Sequence, residues 1–236
     1  EGEKKNVIDD GGRYLLLSDS DKYVTVVTYL RGADAHSSYP TGMKVYRIHR
    51  TEDEATLEYI PELDNLLQYA GCSIRVTGNQ GIRMITALSQ SNKAARTGSG
   101  LAGFTLEEYG TAVCWADSMT GSLTLGKSFA RSNYAYKKGV ADPVFHREGG
   151  MMQYTNVLVG FALEECSRDM VMRPYITLLD ADGELVTLYG GNVQRSIGYI
   201  AYQNRNCKQL GNAAYEYVWE IIHAVYGDAY DDEYTG

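Results

Sequence analysis

Runs rich in apolar and β-branched residues, set off by polar turn-forming clusters, recur along much of this chain and predict strands. Residues 14–17 and 23–30 form one such pair, separated by Ser18-Asp19-Ser20-Asp21, whose short polar side chains favour a reversal. Residues 43–48 and 55–60 form a second pair across Thr51-Glu52-Asp53-Glu54. Residues 73–86 read as a central hairpin, because two runs rich in β-branched residues flank Gly78-Asn79-Gln80-Gly81 and those glycines supply positive φ. A longer strand is expected over 104–115 with a bulge or bend at Gly110, and a further one over 154–162. Residues 171–179 and 184–189 make another hairpin across Asp180-Ala181-Asp182-Gly183, and Pro174 predicts an edge or a bulge for its first strand.

The pattern changes twice. Leu63, Leu66 and Leu67 within 61–69 have helical spacing, enough for a turn or two. Ala214, Tyr217, Val218, Ile221, Ile222 and Val225 recur every 3.6 residues, which predicts a helix over 208–226 ended by Gly227. Residues 116–150 carry many glycines and read mostly as loop. The fold expected is mainly β, an antiparallel β-sandwich (Ig-like or jelly-roll-like) with a short helical turn and a C-terminal α-helix. Its divisions are a flexible leader (1–12), an N-terminal β-meander (13–62), the main sandwich with its helix (63–227) and an acidic tail (228–236).

With 236 residues, the chain is long enough to bury a core without staples. No apolar run approaches the roughly 20 residues of a membrane-spanning helix, so no transmembrane segment is expected. The net charge of −8, with no block of Lys and Arg, argues against nucleic acid as a partner. Cys72, Cys114, Cys166 and Cys207 lie far apart without Cys-x-x-Cys spacing, which excludes a zinc ribbon. They permit three disulfide pairings, but small buried thiols are the favoured reading. Tyrosine is in excess, 20 against four Phe and two Trp, and suits either half-buried sheet positions or an adhesive surface.

No motif points to catalysis, a cofactor or a metal. Gly98-Ser99-Gly100-Leu101-Ala102-Gly103 has the spelling of a dinucleotide loop, but a β-type run follows it where a helix is needed. Asp180-Ala181-Asp182-Gly183 and Asp19-Ser20-Asp21 lack the glycine at position six and the glutamate at position twelve of a calcium hand, so turn chemistry is expected of them. Arg75, Arg83, Arg173 and Arg195 fall on strand positions and are expected to form a structural polar network. Arg131, Tyr134, Tyr136 and Tyr154 are the candidate binding contacts, on the expectation that the glycine-rich stretch around them is exposed loop.

Ser73-Ile74-Arg75, Gly81-Ile82-Arg83, Glu108-Tyr109-Gly110-Thr111, residues 154–160, Arg173-Pro174-Tyr175-Ile176 and Arg195-Ser196 appear in that order. Together they resemble a poorly characterised extracellular β-rich domain of large secreted or surface proteins from Gram-positive gut anaerobes. The resemblance covers about residues 66–205 and implies a location, secreted or cell-surface, with any signal peptide preceding this numbering. It transfers no functional residue. The expected function is a non-catalytic surface module that binds a glycan or a protein. Two alternatives are an accessory polysaccharide hydrolase using Glu107 or Glu108 with Asp142, and a purely structural spacer.

Overall fold

The computed structural model describes residues 7–8, 13–17, 22–30, 39–76, 78–88, 103–120, 123–127, 130–135, 146–148 and 151–233. These residues form a mainly antiparallel β structure in three sheets with a C-terminal helix. The first sheet runs in sequence order: β1 (Val7–Ile8), β2 (Arg13–Leu17), β3 (Tyr23–Leu30), β4 (Tyr39–Arg50) and β5 (Ala55–Tyr59). It is the expected meander, and it extends into the leader because Val7 and Ile8 pair with Leu15 and Tyr14.

The second sheet has the order β10 (His146–Glu148), β11 (Met151–Val159), β7 (Gly81–Leu88) and β6 (Leu67–Arg75). Its β6–β7 pair is the central hairpin, with Arg75 opposite Gly81 and Gly78 at φ +69° in the turn. The third sheet has the order β13 (Leu185–Tyr189), β12 (Asp169–Leu179), β8 (Thr105–Trp115) and β9 (Ala130–Ala135), and β14 (Val193–Ser196) also pairs with β12. Pro174 is therefore in a central strand rather than at an edge. It falls between Met172, the last residue opposite β14, and Tyr175, the first opposite β13, where β12 changes partner and no ladder N–H is needed.

The second and third sheets pack face to face. Tyr154 of β11 and Tyr109 of β8 are both 0% exposed, with ring centroids 4.9 Å apart. The Tyr154 hydroxyl donates to the Gly110 carbonyl at 3.0 Å, and Thr111 Oγ1 donates to Asn156 Oδ1 at 2.8 Å. One cluster of buried residues joins all three sheets, from Tyr23, Val27, Met43 and Val45 of the first to Tyr154 of the second and Leu106, Ile176 and Leu188 of the third. A second cluster packs β6, β7 and β12 against the helices α1 (Ile197–Gln203) and α2 (Asn212–Tyr226), through Ile74, Ile82, Met172, Ile200, Val218 and Trp219.

Several expectations change. Residues 61–63 form a single 3-10 turn and β6 already begins at Leu67, because Leu66 and Leu67 are claimed by the sheet core. The bulge of β8 is at Glu107 rather than Gly110: Thr177 faces Glu108, Leu178 faces Leu106, and the extra residue is left out of register. The 116–150 stretch contains strands β9 and β10. Helix α2 starts at Asn212, after a 3-10 turn at Lys208–Leu210, and 227–233 of the acidic tail form a further 3-10 segment. There Tyr230 packs on Tyr202 and Tyr226, with centroids 4.5 and 5.5 Å away.

Candidate functional site

The candidate site is a pocket of about 330 Å³ on the first sheet, lined by Val26, Thr28, Gly42, Met43, Lys44, Tyr46, Asp64 and Asn65. Strand register explains its floor. Val24, Val26 and Thr28 of β3 lie opposite Tyr46, Lys44 and Gly42 of β4, so these six share one face of the sheet. The other face carries Tyr23, Val27, Met43 and Val45 into the core. Gly42 keeps the floor low: a Cβ there would come within 2.8 Å of Thr28 Oγ1.

The wall is built by the chain after β5. Strand β5 pairs with only the Tyr46–Arg50 end of β4. The following residues return to the free part of β4, where Ile60 N–H donates to the Val45 carbonyl at 3.0 Å and Asn65 N–H to the Met43 carbonyl at 2.9 Å. Asn65 is the one described non-glycine residue with positive φ, 51°. Asn tolerates the left-handed region better than most residues, and its side chain ties the fold-back to β4 by accepting the Met43 N–H at 2.9 Å. This fold-back holds Asp64 at the pocket's edge.

Beside the pocket, Tyr46 and Tyr59 face each other across β4 and β5 with ring centroids 5.3 Å apart and planes tilted by 37°. The Lys44 ammonium lies 5.1 Å from the centre of the Tyr59 ring. The Tyr59 hydroxyl donates a short hydrogen bond to Asp64 Oδ2. That bond, followed by desolvation and the charge of Asp64, pushes the Tyr59 hydroxyl up to about 12. Asp64 Oδ1 is buried and has no hydrogen-bond partner among the described residues. The arrangement combines an aromatic wall, a cation, a carboxylate, a hydroxyl and an amide, the groups a small polar ligand requires for orientation.

The sequence-predicted contacts are placed elsewhere. Tyr154 is a core residue between two sheets rather than a surface contact, because its ring is sealed against Tyr109. Arg131 and Tyr134 lie on β9, opposite Ala112 and Tyr109 of β8, and so belong to a strand rather than a loop. Tyr136 lies outside the described residues, as does Asp142.

The four strand arginines do not form one network. Arg75 and Arg83 share a face of the β6–β7 pair with Ser73 and Gly81, the face opposite Ile74 and Ile82. Arg195 lies opposite Met170 and therefore on the other face of the third sheet from Arg173, three residues along β12. Arg173 is 2% exposed; its Nε donates to the Gly190 carbonyl at 3.0 Å, its Nη1 to the Leu123 carbonyl at 2.5 Å, and its guanidinium lies 4.4 Å from the Tyr189 ring centre. Arg195 Nη1 donates to the Gln194 carbonyl at 2.6 Å and its guanidinium lies 5.4 Å from the Tyr199 ring centre. These bonds brace local backbone on separate surfaces.

The remaining motifs resolve into structure. Gly103 is followed by Phe104 and β8, so a strand stands where a dinucleotide loop needs a helix. Asp180 closes its own turn by accepting the N–H groups of Asp182 and Glu184, both at 2.9 Å, while Oδ2 lies 3.5 Å from the Tyr23 hydroxyl. Among the described residues no cluster of His, Cys, Asp and Glu could hold a metal ion. Glu107 is exposed at the bulge and Glu108 accepts the Tyr175 hydroxyl at 2.5 Å. All four cysteines are free thiols. Burial, with Glu165 and Glu164 nearby, pushes Cys166 up to about 11. Among the described residues no helix is long and apolar enough to cross a membrane.

Comparison with known proteins adds no identity. No family model, curated protein or solved structure matches the chain. The pocket was hidden in the sequence because its residues come from two strands and a fold-back, 39 positions from Val26 to Asn65 (65 − 26). One signal was present: Asp64-Asn65 is a pair of turn formers placed directly after a 3-10 turn and before a strand.

Proposed function

We propose that this chain is a non-catalytic binding module whose ligand is a glycan, and that the β3–β4 pocket is the place of contact. The observation that carries the reading is the Tyr46–Tyr59 pair standing beside a pocket that also offers Lys44, Asp64 and Thr28. Sugar rings present an apolar C–H face and a rim of hydroxyls. An aromatic wall with polar groups at its edge complements both. The volume lies at the lower end for small-molecule sites, so it suits one or two rings rather than a long polymer.

The resemblance to secreted surface domains is consistent with this role and with an extracellular location. A spacer would need no concave aromatic surface, and the pocket weighs against that alternative. The test is a glycan array probed with the intact chain and with Tyr46→Ala and Tyr59→Ala. The expected result is a defined set of glycans whose binding falls at least about tenfold in both variants. A blank array at high protein concentration, or binding untouched by either substitution in folded protein, would refute the proposal.

A further inference from the structure

We infer that the ligand of this pocket carries a carboxylate, so that the preferred glycan ends in an acidic pyranose such as a uronic or sialic acid. This rests on the glycan-binding reading and adds the chemical class.

Three basic side chains on or beside the first sheet already have partners. Lys22 Nζ lies 2.6 Å from Glu184 Oε2, His49 Nε2 lies 2.7 Å from Glu58 Oε2, and Arg47 donates through Nε and Nη2 to the Tyr23 hydroxyl at 3.2 and 2.8 Å. Lys44 differs from all three. Its side chain is exposed, its ammonium is held over the Tyr59 ring, and it makes no ion pair with any described residue. A ring quadrupole attracts a cation without cancelling its charge, so the ammonium remains available to an anion.

Asp64, on the hydroxyl of the same Tyr59 ring, supplies the complementary need. Asp64 spends Oδ2 on the Tyr59 hydroxyl, and its buried Oδ1 has no donor among the described residues. A buried acceptor without a donor is the kind of group that a ligand hydroxyl satisfies. The ligand must therefore bring an anion to Lys44 and an O–H or N–H to Asp64. It must also place an apolar face against Tyr46 and Tyr59, within about 330 Å³. A carboxylate-bearing pyranose has all of these on one ring. A neutral sugar gains nothing from the Lys44 ammonium, which water solvates in its absence, and an extended acidic peptide calls for a groove or a strand edge rather than a pocket of this size.

The experiment is calorimetric titration of the intact chain with a glucuronate-terminated oligosaccharide, with sialyllactose, with the matching neutral oligosaccharides, and with an oligoglutamate peptide. At low salt an acidic sugar is expected to bind about tenfold more tightly than its neutral counterpart. Lys44→Gln should bring acidic and neutral affinities to the same value, Lys44→Arg should retain the preference, and added salt should narrow it. Equal affinity for acidic and neutral sugars, or a preference unchanged in Lys44→Gln, overturns this inference and leaves the glycan reading standing. Binding of the oligoglutamate alone, or of nothing, overturns both. Unaltered thermal unfolding of the Lys44 variants, expected for an exposed side chain, shows that they report on binding.

Discussion

Tyr154 separates two views of this protein, since its neighbourhood in sequence suggests a surface contact and its position in the fold makes it a clasp between sheets. Two substitutions divide its contribution. Tyr154→Phe keeps the ring against Tyr109 and removes the hydrogen bond to Gly110. A single such bond contributes about 1 kcal/mol net. Tyr154→Ala removes the ring as well and leaves a hole in a site that is 0% exposed, a change that costs about 3–5 kcal/mol for a large aromatic side chain. For a chain of this length 1 kcal/mol corresponds to about 2–4 °C in Tm. The expected shifts are therefore about 3 °C for Phe and roughly 10 °C or more for Ala. Thermal unfolding followed by tryptophan fluorescence reads these shifts, and in urea the slope should stay constant so that only the midpoint moves. Equal losses in the two variants, or an Ala variant with the wild-type midpoint, would show that the ring does not hold the sheets together. Glycan affinity should be the same in both folded variants, because the pocket belongs to another sheet.

Gly81→Ala should destabilise by about 3 kcal/mol or more, because the new Cβ would lie 2.1 Å from the Leu158 carbonyl oxygen of the neighbouring strand and backbone cannot yield. Gly78→Ala, at φ +69° in the same turn, should cost only about 1–2 kcal/mol, and denaturant midpoints will rank the two. Tyr59 should ionise near 12 rather than near 10, and Asp64→Asn should bring it down, which ultraviolet absorbance of the phenolate will record. Because the folded state holds that proton more tightly, the associated stability is intact below pH 10 and is lost as pH rises through 12. Thiol counting without reductant should give four groups after denaturation, and Cys166 should react slowly in the folded protein at about pH 8; fewer thiols would mean a bridge the structure does not contain.

Much of the β framework was legible because it depends on short-range signals. The 73–86 hairpin follows from the glycines of its turn, and the 180–183 reversal from an aspartate that closes its own loop. Helix α2 is visible as a change of period. Helix α1 was missed although it carries a local signal, Ser196 accepting the Tyr199 N–H at 3.0 Å ahead of apolar Ile197, Ile200 and Ala201. What could not be read was anything set by pairing between distant strands. The strand arginines look equivalent in sequence, and only the β12–β14 register puts Arg173 and Arg195 on opposite faces. Likewise, Lys44 and Asp64 become neighbours of one ring only when β5 stops short and the chain folds back along β4.

The buried guanidinium of Arg173 bears on the order in which the molecule can be assembled. One of the carbonyls that receives it belongs to Leu123, and the Leu125 N–H donates to the Tyr189 hydroxyl at 3.0 Å, so the segment following β8 supplies part of the arginine's surroundings. A cation stripped of water before that segment arrives would have one acceptor fewer in a medium where charge is costly. The third sheet and the chain that crosses it are thus expected to close in one cooperative event. Cutting the chain within that segment should unfasten the sheet as a whole, rather than free a dispensable loop.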